Sequence, residues 1–486
     1  MRNFSAEILT GTLIFAVMFV FFSQVHPPVL FDGDDWNVIS DARVGLPKWG
    51  GWNPIKVLPE TFYPICGYFA AYVVNPIIGD YLTAVTISVA LIVSIFIAVY
   101  VVLFLKFAEK IFGLDTLTTN FFGIIFLLLH FAIFLKHNTQ DNFYLFHTTD
   151  TDCVFNYILP NLLNAALVLF IARFDAKKFF FEHVTPAAIF LFSAIYFGIF
   201  SSILSSCILA IYIFVELMSR AQFKKFKPRK FFTDNKTFCV ILIFWLISLL
   251  FEANGGRAKS MSLEESFFAL TIQTTAITIQ SLLFDNRGLP LMIFAAVTTI
   301  FIFVRQNDAY SKNLLRVLIK FLICLPLWTV YVILVAARAN PTYALRPDVQ
   351  FGIFFFVFVI FLAALSFWIK KFPRGAFIVP ILAFALFTWI FSGKRTLCPS
   401  TFNHVPEKVC VEVSRHIIDQ IISADRAGLD KVTVTVPKGD DNDNWPHPLY
   451  MGKNISRTLH AHGIISRRLE VKILPDVTLN KRFNLP

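Results

Sequence analysis

The sequence predicts an all-α polytopic membrane protein of roughly eleven transmembrane helices, followed by a small C-terminal α/β domain, and three observations carry that expectation. Hydrophobic residues make up 56% of the 486 residues, 58 of them phenylalanine, and mean hydropathy is +0.66, more apolar surface than a soluble core hides. Apolar runs near the length a helix needs to cross hydrocarbon, about 17–25 residues, recur from the N-terminus to about residue 391. Basic clusters fall in every second connection between them, as the positive-inside bias requires.

Taken in order, the expected spans are 8–22, 83–105, 121–135, 157–171, 187–200, 203–218, 237–251, 289–304, 317–337, 351–369 and 376–391. The first is long for a signal segment and no small-x-small cleavage site follows it at 23–28, so it is expected to be retained. The pair around Ser201, Ser202, Ser205 and Ser206 reads as two spans or as a hairpin that dips in and returns. Residues 262–284 suit a helix lying in the interface or re-entering it. The basic clusters are Lys106 with Lys110; Arg173, Lys177 and Lys178; Arg220 through Lys230; Arg305, Lys312 and Arg316; and Lys370, Lys371 and Arg374. They put the N-terminus in the cytoplasm and the chain after 391 outside. A net charge of +11 distributed this way orients the chain and gives no basic face for nucleic acid.

Two domains follow: a transmembrane unit, 1–391, with a large first outer loop, 23–82, and an outer C-terminal unit, 392–486. In the latter, helical patterns at 407–427 and 454–463 precede strand-like runs at 431–436 and 469–474. Cys398 and Cys410 flank its entrance on the oxidising side and are expected to pair, as Cys66 and Cys153 would between outer loops. Cys207, Cys239 and Cys324 lie in spans and read as packing residues.

The densest polar constellation is Phe31-Asp32-Gly33-Asp34-Asp35-Trp36, just past the first span, with Trp49, Trp52 and Glu60 after it. Carboxylates crowded beside a membrane raise one another's pKa, which suits a general base, and tryptophans there stack on sugars or anchor the loop. The plainer readings are that the aspartates cap a juxtamembrane helix or bind calcium. The outer face also carries Arg257, Lys259, Arg287, Arg338 and Arg346, able to grip a lipid phosphate, or simply to snorkel. His147, Asp150 and Asp152 form a third cluster, whose spacing fits acceptor binding or loop structure better than zinc. No nucleotide-binding glycine loop or nucleophile elbow is present.

This organisation resembles the polytopic GT-C type glycosyltransferases, whose first outer loop is acidic and whose donors are polyprenyl-phosphate sugars. More narrowly, F-D-G-D-D-W at 31–36 and the outer tail look like the bacterial serotype-converting O-antigen glucosyltransferases. The resemblance implies a multi-pass protein of the bacterial inner membrane, an undecaprenyl-phosphate-glucose donor flipped to the periplasmic face, and an O-antigen repeat unit as acceptor. It also implies dependence on a flippase and on a separate glucosyltransferase that makes the donor. Asp34 or Asp35 would then be the base, and Arg257, Lys259, Arg338 and Arg346 would hold the donor phosphate. Asp32, Trp36, Trp49, Trp52, Glu60, His147 and Asp150 would face acceptor or sugar. No cofactor is needed and no metal site is assigned, although three aspartates would suit a divalent cation.

Two rivals stand beside this reading. A transporter would also be polytopic and basic inside, but it predicts charges at mid-membrane, where these spans carry almost none. Another GT-C activity, on lipid A or protein, differs only in acceptor. The tail residues Trp445, His447, Tyr450, Arg457, Lys481 and Arg482 suit acceptor recognition or a stabilising cap.

Overall fold

Apolar composition becomes helix wherever backbone polar groups must be satisfied without water. The computed structural model describes residues 2–41, 54–132, 141–148, 150–173, 182–222, 227–255, 266–286, 288–306, 308–391, 396–398, 405–439 and 449–485. Among them, ten helices are long and apolar enough to cross a membrane: Ile8–Val25, Pro54–Ile78, Tyr81–Phe112, Thr151–Arg173, Ser202–Ser219, Lys236–Ala253, Phe267–Asp285, Ala309–Ala339, Pro347–Lys371 and Pro373–Phe391. Thr116–Ala132, Val184–Ile195 and Gly288–Ile302 are shorter apolar helices. The chain is thus a helical, multi-pass membrane protein, and its helices differ from the expected spans in two respects. The runs expected at 121–135, 187–200 and 289–304 fall on the three shorter helices. Pro54–Ile78 and Phe267–Asp285 meet the length and hydropathy criterion where a loop and an interface segment were expected.

Pro54–Ile78 is tied along its length to loop and tail segments. Tyr63 hydroxyl donates to Asp35, Tyr68 hydroxyl to the Ser40 carbonyl and Tyr72 hydroxyl to the Ala461 carbonyl. Phe62, Ile65, Phe69, Val73 and Ile77 line its exposed face at helical spacing, the pattern of a helix lying in the interface.

The two ends of the bundle differ in charge. Asp80 caps the helix Tyr81–Phe107, and Tyr81 hydroxyl meets His462 Nδ1 at 2.7 Å. Lys106 lies 25 residues further on, about 38 Å away at 1.5 Å per residue. There Lys106, Glu109, Lys110 and Arg173 line one cavity, and Lys370 packs against Gly113 and over the Tyr310 ring. Basic residues of separate connections thus gather at the end opposite Tyr81.

Pro347–Lys371 is the axis of the bundle and is buried along most of its length. Around it, Phe104 and Phe126 stack at 3.9 Å, and His130 sits among Phe126, Phe146, Phe351 and Phe358. His130 is a satisfied core histidine: Nδ1 meets the Phe126 carbonyl at 2.7 Å and Nε2 the Tyr100 hydroxyl at 3.2 Å. Because lipid tails are as apolar as the side chains, close packing and interhelical hydrogen bonds hold such a bundle. The serine pair supplies the latter. Ser201 donates to Asn161 at 2.6 Å and Ser205 to Asn164 at 2.7 Å, while Asn164 donates to the Ala194 carbonyl, bonds worth about 0.6–2 kcal/mol each in a membrane. The twelve-residue arm Val184–Ile195 spans only about 18 Å, so it enters short of a full crossing and turns back at Gly198, whose φ is 98°.

After Pro406 come helix Glu407–Arg426, strand Lys431–Pro437, helix Gly452–Ala461, strand Glu470–Asp476 and a last turn, Val477–Arg482. The strands pair in parallel, Lys431 opposite Glu470 through Pro437 opposite Asp476, with the helix as crossover. Gly452 makes the crossover fit, since a Cβ there would press on the Val471 carbonyl. Gly452→Ala is therefore expected to destabilise this unit by about 1–3 kcal/mol. Hydrogen exchange would read this as faster exchange of 431–437 and 470–476; unchanged rates would refute it.

The expected cysteine pairs are corrected. Neither Cys398 with Cys410 nor Cys66 with Cys153 is joined in a disulfide. Cys410 Sγ is turned onto the Val405 carbonyl, and Cys398 follows the two-residue strand Thr396–Leu397, which pairs with Asp141–Asn142 of the second outer loop.

Candidate functional site

Three separated segments meet above the end that holds Tyr81. Val29 bridges to Asp150, Thr396–Leu397 to Asp141–Asn142, and Ser414 donates to the Leu30 carbonyl at 3.0 Å. Asp32 nucleates the short helix Gly33–Val38 by a capping box: its Oδ1 accepts from Asp35 N, and Asp35 Oδ2 accepts from Asp32 N. The capping role weighed for this motif is thus real for two of its aspartates.

Asp35 does more than cap. Its buried carboxylate accepts from Phe31 N at 2.8 Å and Asp32 N at 3.2 Å on one oxygen. On the other it accepts from Tyr63 hydroxyl at 3.1 Å, Thr151 hydroxyl at 2.7 Å and Asp152 N at 2.6 Å. It is a clasp between the segments 31–35 and 150–152 and the helix that carries Tyr63, with its lone pairs committed to donors. Asp34, one residue earlier, is the exposed carboxylate of the motif.

Burial, more than charge crowding, sets the titration of this cluster. It pushes Asp35 up to about 6, and pushes Asp150 up to about 8 with help from Asp35; it raises Asp32 as well, with Asp35 and Asp150 adding. A raised folded pKa favours the protonated fold, so stability present below the unfolded value of 3.8 is lost as pH rises through about 8 for Asp150. The thermal midpoint is therefore expected to fall between pH 5 and pH 9. Asp150→Asn, neutral throughout, should flatten the upper part of that decline and stabilise the protein above pH 8. An unchanged profile in differential scanning fluorimetry would contradict this.

The remaining expected residues divide by position. Asp150 is buried, and its Oδ1 finds no acceptor-matching donor among the described residues; Asp152 accepts from Asn156 at 2.8 Å and lies within electrostatic reach of Asp34 and Lys56. Glu60 is buried against Lys56 at 3.3 Å. Trp36 is fully buried, with Thr458 donating to its carbonyl, so its ring offers no face to a sugar. His147 is buried among Phe143, Tyr144 and His26. Arg346 grips Asp348 through Nε at 3.0 Å and Nη2 at 2.6 Å and stacks on Tyr157, while Asn161 donates to the Asp348 carbonyl. Arg338 is exposed at the end of Ala309–Ala339. Trp49, Trp52, Arg257, Lys259, Arg287, Trp445 and His447 lie outside the described residues. Of the tail, Tyr450 is exposed, and Arg457 holds Asp41 at 3.1 Å and the Asn37 carbonyl at 2.6 Å, which docks the tail on the first loop.

Beside the carboxylates is a cavity of about 70 Å³, lined by Lys56, Asn156, Tyr157, Glu252, Ala339 and Tyr343 among others. Asn156 and Lys56 link it to Asp152, and Tyr157 and Tyr343 link it to Arg346. Sequence reasoning passed over Lys56, whose signal is its place four residues before Glu60, the i,i+4 spacing of a helical ion pair.

Compared with known proteins, the chain matches no family model, no curated protein and no solved structure. Among the described residues no group of three or more His, Cys, Asp or Glu side chains is arranged to hold a metal ion. What the site offers is one exposed carboxylate, a buried acidic layer behind it, and cations on the neighbouring rim. That set suits proton abstraction from a hydroxyl next to a departing anion.

Proposed function

We propose that the chain is an integral-membrane glycosyltransferase of GT-C-like design. It moves a glucosyl residue from undecaprenyl-phosphate-glucose to a hydroxyl of an O-antigen repeat unit. The acidic end faces the periplasm, the basic end the cytoplasm, and the bacterial inner membrane is the solvent for the bundle. The observation that carries this reading is the exposed Asp34, which together with Lys56 acts electrostatically on Asp152, while Lys56 also lines a cavity that reaches Ala339, the residue after the exposed Arg338.

In the reaction, the acceptor hydroxyl oxygen attacks the anomeric carbon while Asp34 takes its proton. The bond between that carbon and the phosphate oxygen breaks, and the electron pair leaves with undecaprenyl phosphate, giving inversion. Lys56 and Arg338, with Arg257 and Lys259 from the adjoining outer loop, balance the phosphate charge. Asp35 and Arg346 act by position: one fixes the motif, the other the rim. A pocket that takes a ligand usually holds at least ~300 Å³, so donor entry widens the cavity between 54–56 and 339–343. Glucose charging of the carrier and its flipping are left to separate proteins.

The experiment is sugar transfer from synthetic undecaprenyl-phosphate-[14C]glucose to O-antigen in proteoliposomes. Wild-type protein is expected to transfer and Asp34→Asn to fail. Transfer by neither, with a folded wild type, would refute the donor; equal transfer by both would refute the base.

A further inference from the structure

At the basic end, two cavities meet at one residue. An apolar groove of about 400 Å³ runs between the first helix and Tyr81–Phe107, lined by Ile8, Gly11, Phe15, Val99 and Val102 and ending at Lys106. A second hollow of about 260 Å³ begins at the same Lys106 and is lined by Glu109, Lys110 and Arg173 besides. The groove opens outward, since Ile8, Ile95 and Val99 are about half exposed, and among the described residues its only charged lining residue is the lysine at its end. The hollow carries three cations against one carboxylate, an excess of two positive charges. An apolar slot that terminates in a cationic cup matches a molecule with a hydrocarbon chain and an anionic head.

We propose that this pair of cavities is a binding site for an anionic phospholipid. Its acyl chain lies in the groove between the first helix and Tyr81–Phe107, and its phosphate sits among Lys106, Lys110 and Arg173. The groove is too apolar to hold a polar ligand, and the cup is too cationic to prefer a zwitterionic head, whose own ammonium would meet the same three cations. The site lies about 38 Å along the bundle from Tyr81. It does not depend on the glycosyltransferase reading of the other end.

The test is native mass spectrometry of the full chain in detergent, titrated with dioleoylphosphatidylglycerol or dioleoylphosphatidylcholine. Wild-type protein is expected to bind the anionic lipid about thirtyfold more tightly, the gain that two excess surface cations supply. A triple variant, Lys106→Gln, Lys110→Gln and Arg173→Gln, should keep the zwitterionic adducts and lose most of that preference. Val99→Trp, on an exposed groove position, should weaken both lipids while leaving their ratio intact. Equal binding of the two lipids to wild type would overturn the proposal, and so would a preference unchanged in the triple variant. Thermal midpoints close to wild type establish that each variant is folded.

Discussion

Asp35→Ala is expected to lower the thermal midpoint of the detergent-solubilised protein by roughly 5–10 °C, while Asp34→Ala leaves it near wild type. The two aspartates are neighbours in sequence and opposites in environment. Asp35 is fully buried and serves five donors, three of them backbone N–H groups that cannot turn away. Each buried donor left without an acceptor costs about 1–3 kcal/mol. Relief of crowding with Asp32 and Asp150 offsets part of this, leaving a net loss of about 3–6 kcal/mol. Asp35→Asn should fall between, because an amide keeps one acceptor and turns its own donors toward some of the others. Scanning fluorimetry that places Asp35→Ala with Asp34→Ala would show that the clasp does not hold the loops.

The second large effect is on turnover. If Asp34 takes the acceptor proton, Asp34→Asn should cost about 100-fold or more in kcat, the usual contribution of a positioned base, with donor KM little changed. The side chain is exposed, so the loss should come without a fall in thermal midpoint. That separates it from the Asp35 variants, where activity and stability fall together. Activity of Asp34→Asn at wild-type level would move the base elsewhere, whatever the donor proves to be.

How much of this was legible depends on the range of the interactions. Long apolar runs announce themselves locally, so helices such as Tyr81–Phe112 and Pro347–Lys371 follow from 83–105 and 351–369 with only their ends extended. Pro54–Ile78 was read as loop because Pro59, Pro64, Gly67 and Pro76 interrupt it and its mean hydropathy is only 1.2. Proline at the first helical position is tolerated, and the exposed apolar stripe needs an interface, not a crossing. Crowded aspartates are likewise visible in sequence. Which one is buried is not, because the donors that claim Asp35 come from Tyr63 and Thr151, 28 and 116 residues away. The same holds for Trp36, which looks like a sugar platform in sequence but is fully buried, with its carbonyl bound by Thr458.

The clasp has a consequence for biosynthesis. Asp35 meets Asp152 across 117 residues, and Thr458 reaches Trp36 across 422. At about 5–20 residues per second, roughly 20–80 s pass between translation of the acidic motif and of the segment that covers it. Throughout that interval Trp36 of a nascent chain waits for the tail segment that binds its carbonyl, although Asp35 can already meet Thr151 and Asp152. Premature termination between residues 391 and 458 would release a protein whose apolar helices are complete but whose loop-and-tail assembly is unfinished, a natural substrate for quality-control proteases.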